Sequence, residues 1–115
     1  MRIIAGQSKG RRLETLSGMG TRPTSDKVKE ALFNIIQMRL EGSIVLDLFA
    51  GTGNLGLEAI SRGSQKAIFV EKDRRAVSIL NKNCNTLGYV EQTEIISRDV
   101  FKALTDLSKR DILFD

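Results

Sequence analysis

Three carboxylates stand where hydrophobic runs give out: Asp47 after Ile44-Val45-Leu46, Glu71 after Ala67-Ile68-Phe69-Val70, and Asp99 soon after Thr93-Glu94-Ile95-Ile96. The first is followed by Gly51-Thr52-Gly53-Asn54-Leu55-Gly56, a G-x-G-x-x-G run. A strand, a glycine-rich turn and a helix together cradle a small ligand. The helix start offers N–H donors, and glycines such as Gly51 and Gly53 let the backbone come close. Glu71 lies 20 residues beyond Gly51, a spacing at which an acid reaches ribose hydroxyls.

Taken alone, this pattern fits a nicotinamide dinucleotide as well as S-adenosylmethionine, and Asp47 separates the two. A carboxylate beside a pyrophosphate is repelled: at an effective dielectric of about 20, two unit charges ~5 Å apart cost about 3 kcal/mol. S-adenosylmethionine carries a sulfonium and an ammonium and no phosphate, so the same carboxylate attracts it. Asp47 can also bind backbone N–H groups of its own turn, and the two roles are compatible. Glu71 suits a ribose diol, or is an exposed charge at a strand end. Asp99 suits an exocyclic adenine amine, with the Val100 N–H donating to a ring nitrogen, or is a helix N-cap. Arg22, Thr24 and Ser25 suit the cofactor's carboxylate, or cap the helix that follows them.

These groups must be held by elements, and the hydropathy pattern supplies them. Arg2–Gly6 and Arg11–Leu16 read as a hairpin or extended arm with basic residues at its tip, and Ser17-Gly18-Met19-Gly20 as a joint. Val28, Ala31, Leu32 and Ile35 fall at i, i+3, i+4 and i+7, one face of a helix running to about Leu40. After Gly42 strand and helix alternate. Strands are expected near 44–48, 67–70, 93–96 and from 111 on, and helices at 54–62, 74–87 and 100–107. Asp73 is expected to cap the second of these helices and Gly88 to stop it. That alternation gives a parallel sheet with helices on its faces, and ligands of such sheets lie beyond the carboxyl ends of the strands.

Composition narrows the chemistry. The 115 residues make one domain at most, with 41% hydrophobic and 28% charged residues. There is no histidine and one cysteine, so His-based acid–base chemistry is excluded and no zinc shell or internal disulfide is expected. Cys84 shares a helical stripe with Val77, Leu80 and Leu87 and reads as core. No apolar run spans a bilayer and the N-terminus has no signal-peptide core, so a cytoplasmic location is expected. Residues 1–30 carry the whole net charge of +4, the rest being balanced. A basic segment on a neutral domain suggests a polyanionic partner.

Asp47–Gly53 followed by Leu57-Glu58-Ala59 resembles motif I of class I S-adenosylmethionine-dependent methyltransferases. Thr21-Arg22-Pro23-Thr24-Ser25-Asp26-Lys27-Val28-Lys29-Glu30-Ala31-Leu32-Phe33-Asn34 is more specific. With Arg2-Ile3-Ile4-Ala5-Gly6, Lys9-Gly10-Arg11 and Phe69-Val70-Glu71-Lys72-Asp73, it resembles the bacterial RsmD family, which methylates the exocyclic N2 of a guanine in 16S ribosomal RNA. The similarity runs through essentially the whole chain. It implies a Rossmann-like sheet with an N-terminal extension, residues 1–42 being arm and helix and 43–115 an incomplete cofactor-binding core. It implies cofactor contacts at Asp47, the Gly51–Gly53 backbone, Glu71 and Asp99, and a place for Arg22–Thr24 near the active site. It further implies ribosomal RNA, alone or in the small subunit, on the arm at Arg2, Lys9, Arg11 and Arg12.

The family carries an Asp/Asn-Pro-Pro-aromatic motif after its fourth strand, whereas Pro23 is the only proline here. Asp115 stands where that motif's first residue would fall and is the expected catalytic side chain. The expectation is therefore a chain truncated before the motif, with little turnover of its own. The competing readings are a methyltransferase of another RNA or of DNA, a non-catalytic RNA-binding module, and a nicotinamide-dependent oxidoreductase.

Overall fold

The computed structural model describes residues 1–16 and 26–110. Its centre is a parallel sheet of three strands, β1 (Ile44–Asp47), β2 (Lys66–Val70) and β3 (Thr93–Ile96), in the order β1-β2-β3. Asp47 pairs with Phe69, and Val70 with Ile96, so the carboxyl ends of all three strands lie along one edge. The helices are α1 (Asp26–Ile36), α2 (Asn54–Ser61), α3 (Arg74–Leu87) and α4 (Val100–Ser108). The expected α/β alternation is borne out. The strand expected from 111 on lies outside the described residues, as do Arg22, Thr24, Ser25 and Asp115.

Side chains alternate across a strand, and β2 shows that both of its faces are covered. Ala67 and Phe69 join a core cluster with Leu57 of α2 and Leu80 and Cys84 of α3. Ile68 and Val70, on the opposite face, are fully buried too. Asp73 caps α3 by accepting from the N–H groups of Arg75 and Ala76, and Gly88 ends it in the left-handed region at φ 75°. Asp99 caps α4 by accepting from the Lys102 N–H.

One expectation fails on α1. Val28, Ala31, Leu32 and Ile35 do not form its packed face: Ile35 is 81% exposed and Val28 59%. The buried residues are Lys29 and Phe33. Phe33 packs with Leu40 and Ala59, with Ile36, Val45 and Leu55 alongside. The helix is turned by a charge: the Lys29 ammonium lies 3.1 Å from the Glu58 carboxylate, both side chains being fully buried. The same ammonium donates to the Arg2 carbonyl and Asn54 Oδ1, each at 2.7 Å, so turning Lys29 out to water would leave three acceptors short of a donor.

The N-terminal arm is a hairpin, with Arg2 bridging Arg12 in antiparallel fashion. The Ile3 N–H donates to the Arg11 carbonyl, the Gly10 N–H to Ile3 and the Leu13 N–H to Met1. Ile3 and Leu13 enter the same core cluster as Phe69 and Leu80. The tip does not project; it is stapled to α2. Ile4 and Ala5 donate their N–H groups to the two Glu58 oxygens, at 2.9 and 3.1 Å. Gln7 donates to the Ser61 carbonyl and Ser8 to the Ser61 hydroxyl. The Ser8 and Tyr89 hydroxyls are also hydrogen-bonded, tying the tip to the segment before β3.

Candidate functional site

The end of β1 and the turn after it carry Asp47, Gly51 and Gly53 of the predicted site. Gly51 and Gly53 adopt φ of 56° and 97°, a region closed in practice to side-chain-bearing residues. A Cβ on Gly51 would meet nothing within 4 Å, so open space adjoins the loop there. The Gly51 N–H donates to Glu71 Oε1 at 2.8 Å, and the Gly53 N–H to the Ala50 carbonyl. The Thr52 carbonyl accepts from Asn83 Nδ2 at 2.9 Å. Three consecutive loop residues are thus fixed one by one.

Glu71 is more than an exposed charge. Its other oxygen accepts from the Asp73 N–H at 2.9 Å, so the carboxylate joins the glycine loop to the start of α3. Each oxygen keeps a lone pair for a further donor, so a diol can still be received. Asp47 accepts from the Phe49 N–H at 3.3 Å. Its pKa is raised above the usual carboxylate value, first by burial and further by the charge of Glu71, the Phe49 N–H acting in the opposite sense. A cation placed against Asp47 would relieve that penalty, whereas a phosphate would add to it.

A cleft of about 330 Å³ opens beside the loop, lined by Phe49, Val70, Glu71, Asp99, Val100 and Phe101 among others. Glu71, Asp99 and Val100 stand on this cleft, Asp47 lines a second cavity beside α1, and all of them lie with Gly51 and Gly53 at the carboxyl end of the sheet. The Asp99 cap leaves one oxygen uncommitted to Lys102, and Val100 opens α4, where N–H groups lack intrahelical acceptors. Lys72 and Arg98 also stand on the cleft, but Arg98 is held at 2.8 Å by Asp106. Sequence reasoning missed the two rings that line the cleft, Phe49 at 80% and Phe101 at 83% exposure. Large aromatics standing in water next to a strand end are the signal that pointed to them.

Arg2, Lys9, Arg11 and Arg12 are exposed on the arm. Arg11 donates to the Thr86 carbonyl of α3 at 2.8 Å. Arg2 and Arg12 face each other across the bridge, and like charges directly opposite destabilise a strand pair. Among the described residues no group of acids and cysteine suits a metal ion, and no helix is long and apolar enough to cross a membrane.

The chain is similar to YlbH of Bacillus subtilis strain 168, a proposed rRNA methyltransferase: 44% identity over 114 residues, 99% of this chain and 62% of YlbH. It is 46% identical over 99 residues to the Ribosomal RNA small subunit methyltransferase D of Haemophilus influenzae, covering 85% of this chain and 51% of that protein. Among solved structures, yhhF of Escherichia coli, a proposed methyltransferase, superposes with a TM-score of 0.82 at 36% identity over 90% of this chain and 55% of its own. The chain thus spans a little over half the length of these proteins. The family model described as Conserved hypothetical protein 95 matches residues 1–115, and the chain belongs to that family, the RsmD family its motifs resemble.

Proposed function

We propose that this chain is the cofactor-binding part of an S-adenosylmethionine-dependent methyltransferase, cytoplasmic and acting on the exocyclic N2 of a guanine in 16S ribosomal RNA. The observation that carries the reading is the acidic edge: Asp47, Glu71 and Asp99 gathered around an open glycine loop at the carboxyl ends of three parallel strands. The residues fit the cofactor. Asp47, desolvated and strained by Glu71, is the partner for its positive charge. Glu71 accepts from the ribose hydroxyls, Asp99 and the Val100 N–H take the two hydrogen-bonding edges of adenine, and Phe49 and Phe101 offer ring faces to the base. Arg22 and Thr24 are assigned to the cofactor's carboxylate, and Asp115 to the target amine.

When bound, the cofactor supplies an electrophilic methyl group on sulfur. What the protein contributes is position and electrostatics. The guanine amine is a poor nucleophile because its lone pair is delocalised into the ring. An oxygen at Asp115 accepting one N–H would turn that pair toward the methyl group. Lys9, Arg11 and Arg12, with Arg2, would hold the RNA through phosphates, an affinity that falls steeply with salt.

The test is calorimetric titration of the full-length protein with S-adenosylmethionine and S-adenosylhomocysteine, beside Asp47→Ala and Glu71→Ala. Binding that either substitution weakens at least tenfold is expected. Absence of binding, or variants that bind as the parent does, would sink the reading. Mass spectrometry of 16S RNA after incubation then reports whether N2-methylguanine forms.

A further inference from the structure

Asn83 lies in the middle of α3 on the stripe that carries Ala76, Leu80, Cys84 and Leu87, and is 2% exposed. Asparagine is a poor helix residue, and a buried amide must find partners. Its partners are the backbones of two distant segments. Nδ2 donates to the Glu14 carbonyl at 3.0 Å and to the Thr52 carbonyl at 2.9 Å, while Oδ1 accepts from the Glu14 N–H at 2.9 Å. Glu14 lies just past the arm's hairpin. Thr52 lies between the two glycines of the loop, both at positive φ, so holding its carbonyl fixes the peptide plane it shares with Gly53. Two side chains anchor this loop, Glu71 and Asn83, and of the two Asn83 also grips the arm.

We propose that Asn83 is a positioning residue that couples the basic arm to the glycine loop, so that RNA on the arm and cofactor at the loop tighten one another. The inference rests on the function proposed above and goes beyond it. A ligand that orders one of two segments sharing an anchor lowers the ordering cost left for the other. Couplings of this kind range over about 5–150-fold, and they are reciprocal. An amide that merely filled the core would change stability without linking the two sites.

The experiment uses the full-length protein, S-adenosylhomocysteine and transcribed small-subunit ribosomal RNA. In the parent, S-adenosylhomocysteine without RNA is expected to slow amide exchange at Glu14 at least threefold, and RNA to tighten S-adenosylhomocysteine about fivefold or more. Asn83→Leu, close in shape and without hydrogen bonds, is expected to lose both effects. Lys82→Ala, which removes only the exposed Lys82–Glu14 ion pair, keeps them. Unchanged exchange at Glu14 overturns the proposal in the parent alone, even if Asn83→Leu fails to fold. So does a mutual tightening that survives Asn83→Leu. If the parent binds no S-adenosylhomocysteine, the functional reading itself falls; if it binds without any linkage, only this inference does.

Discussion

Replacing Glu58 with Gln removes one negative charge from a fully buried site and leaves two cations behind. The carboxylate takes four donors: the Lys29 ammonium at 3.1 Å, Arg62 Nε at 2.8 Å, and the N–H groups of Ile4 and Ala5. Gln keeps the shape, but its NH2 group must face donors on one side. Breaking a buried pair in this way costs about 3–5 kcal/mol, a large part of the ~5–15 kcal/mol that holds a domain. With a urea m-value of about 2 kcal/mol/M, the midpoint falls by about 2 M. Lys29→Met is milder, since Glu58 and Arg62 remain a balanced pair. Its cost is that of the hydrogen bonds to the Arg2 carbonyl and Asn54 Oδ1, about 1–3 kcal/mol. The double variant separates this reasoning from simple loss of contacts. Removing Lys29 from Glu58→Gln takes away a cation that has lost its counter-charge, so the double variant is expected to be more stable than Glu58→Gln alone, with a coupling of at least about 1 kcal/mol. Urea unfolding of the four proteins decides. Additive losses, or a larger loss in Lys29→Met than in Glu58→Gln, would refute the account.

Three further outcomes follow from the same geometry. Burial pushes the Glu58 pKa up, but the hydrogen bonds from Arg62, Ile4 and Lys29 more than offset this and hold it below its ordinary value of 4.5. The unfolded chain therefore takes up the proton first, so this group's stabilisation is full above about pH 4.5 and is lost as pH falls through the folded value; Glu58→Gln should flatten the acid limb of a stability-against-pH curve. A Cβ on Gly6, at φ 86°, would overlap the Ser61 carbonyl, so Gly6→Ala should detach the arm, exposing the Ser8 amide to exchange and weakening RNA binding. Because the Asp47 pKa is raised in the free protein, a cationic ligand should displace its proton. Titration of S-adenosylmethionine at successively lower pH, in buffers of different ionisation enthalpy, should show proton release that grows as Asp47 protonates, and Asp47→Asn should abolish it.

The parts of the fold legible in the sequence are those where a local cause acts alone. Ile68 and Val70 lie in a run with no polar residue to contest it, so β2 was expected nearly to the residue. Asp73 and Gly88 announce the ends of α3 because a cap and a left-handed stop are demands of one turn of backbone. The loop between β1 and α2 was legible for the same reason: only glycine accepts φ of 97° at position 53. The carboxylates at the strand ends were placed correctly because chain order and parallel pairing together fix which ends meet.

What stayed hidden is what a polar residue does at long range. Periodicity assigned α1 its apolar face, yet Lys29 overrode the stripe because Glu58, the Arg2 carbonyl and Asn54 Oδ1 all take its ammonium from across the fold. Glu58 itself sat in plain view between Leu57 and Ala59, and a charge flanked by core residues can only be buried if partners come to it. Asn83, between Leu80 and Cys84, obeys the same logic. Hydropathy scores both as interruptions of a face, whereas each is the point where that face meets another segment. The arm illustrates the consequence. Its charge was read as a surface for a polyanion, but its place on the molecule is set by Glu58, Ser61 and Asn83, none of which is basic and all of which lie in the part of the chain that carries the glycine loop. On the function proposed above, Asn83 alone of these three also fixes the glycine loop, which is why its substitution should be felt at both sites, whereas loss of Glu58 should act first on the seat of the arm.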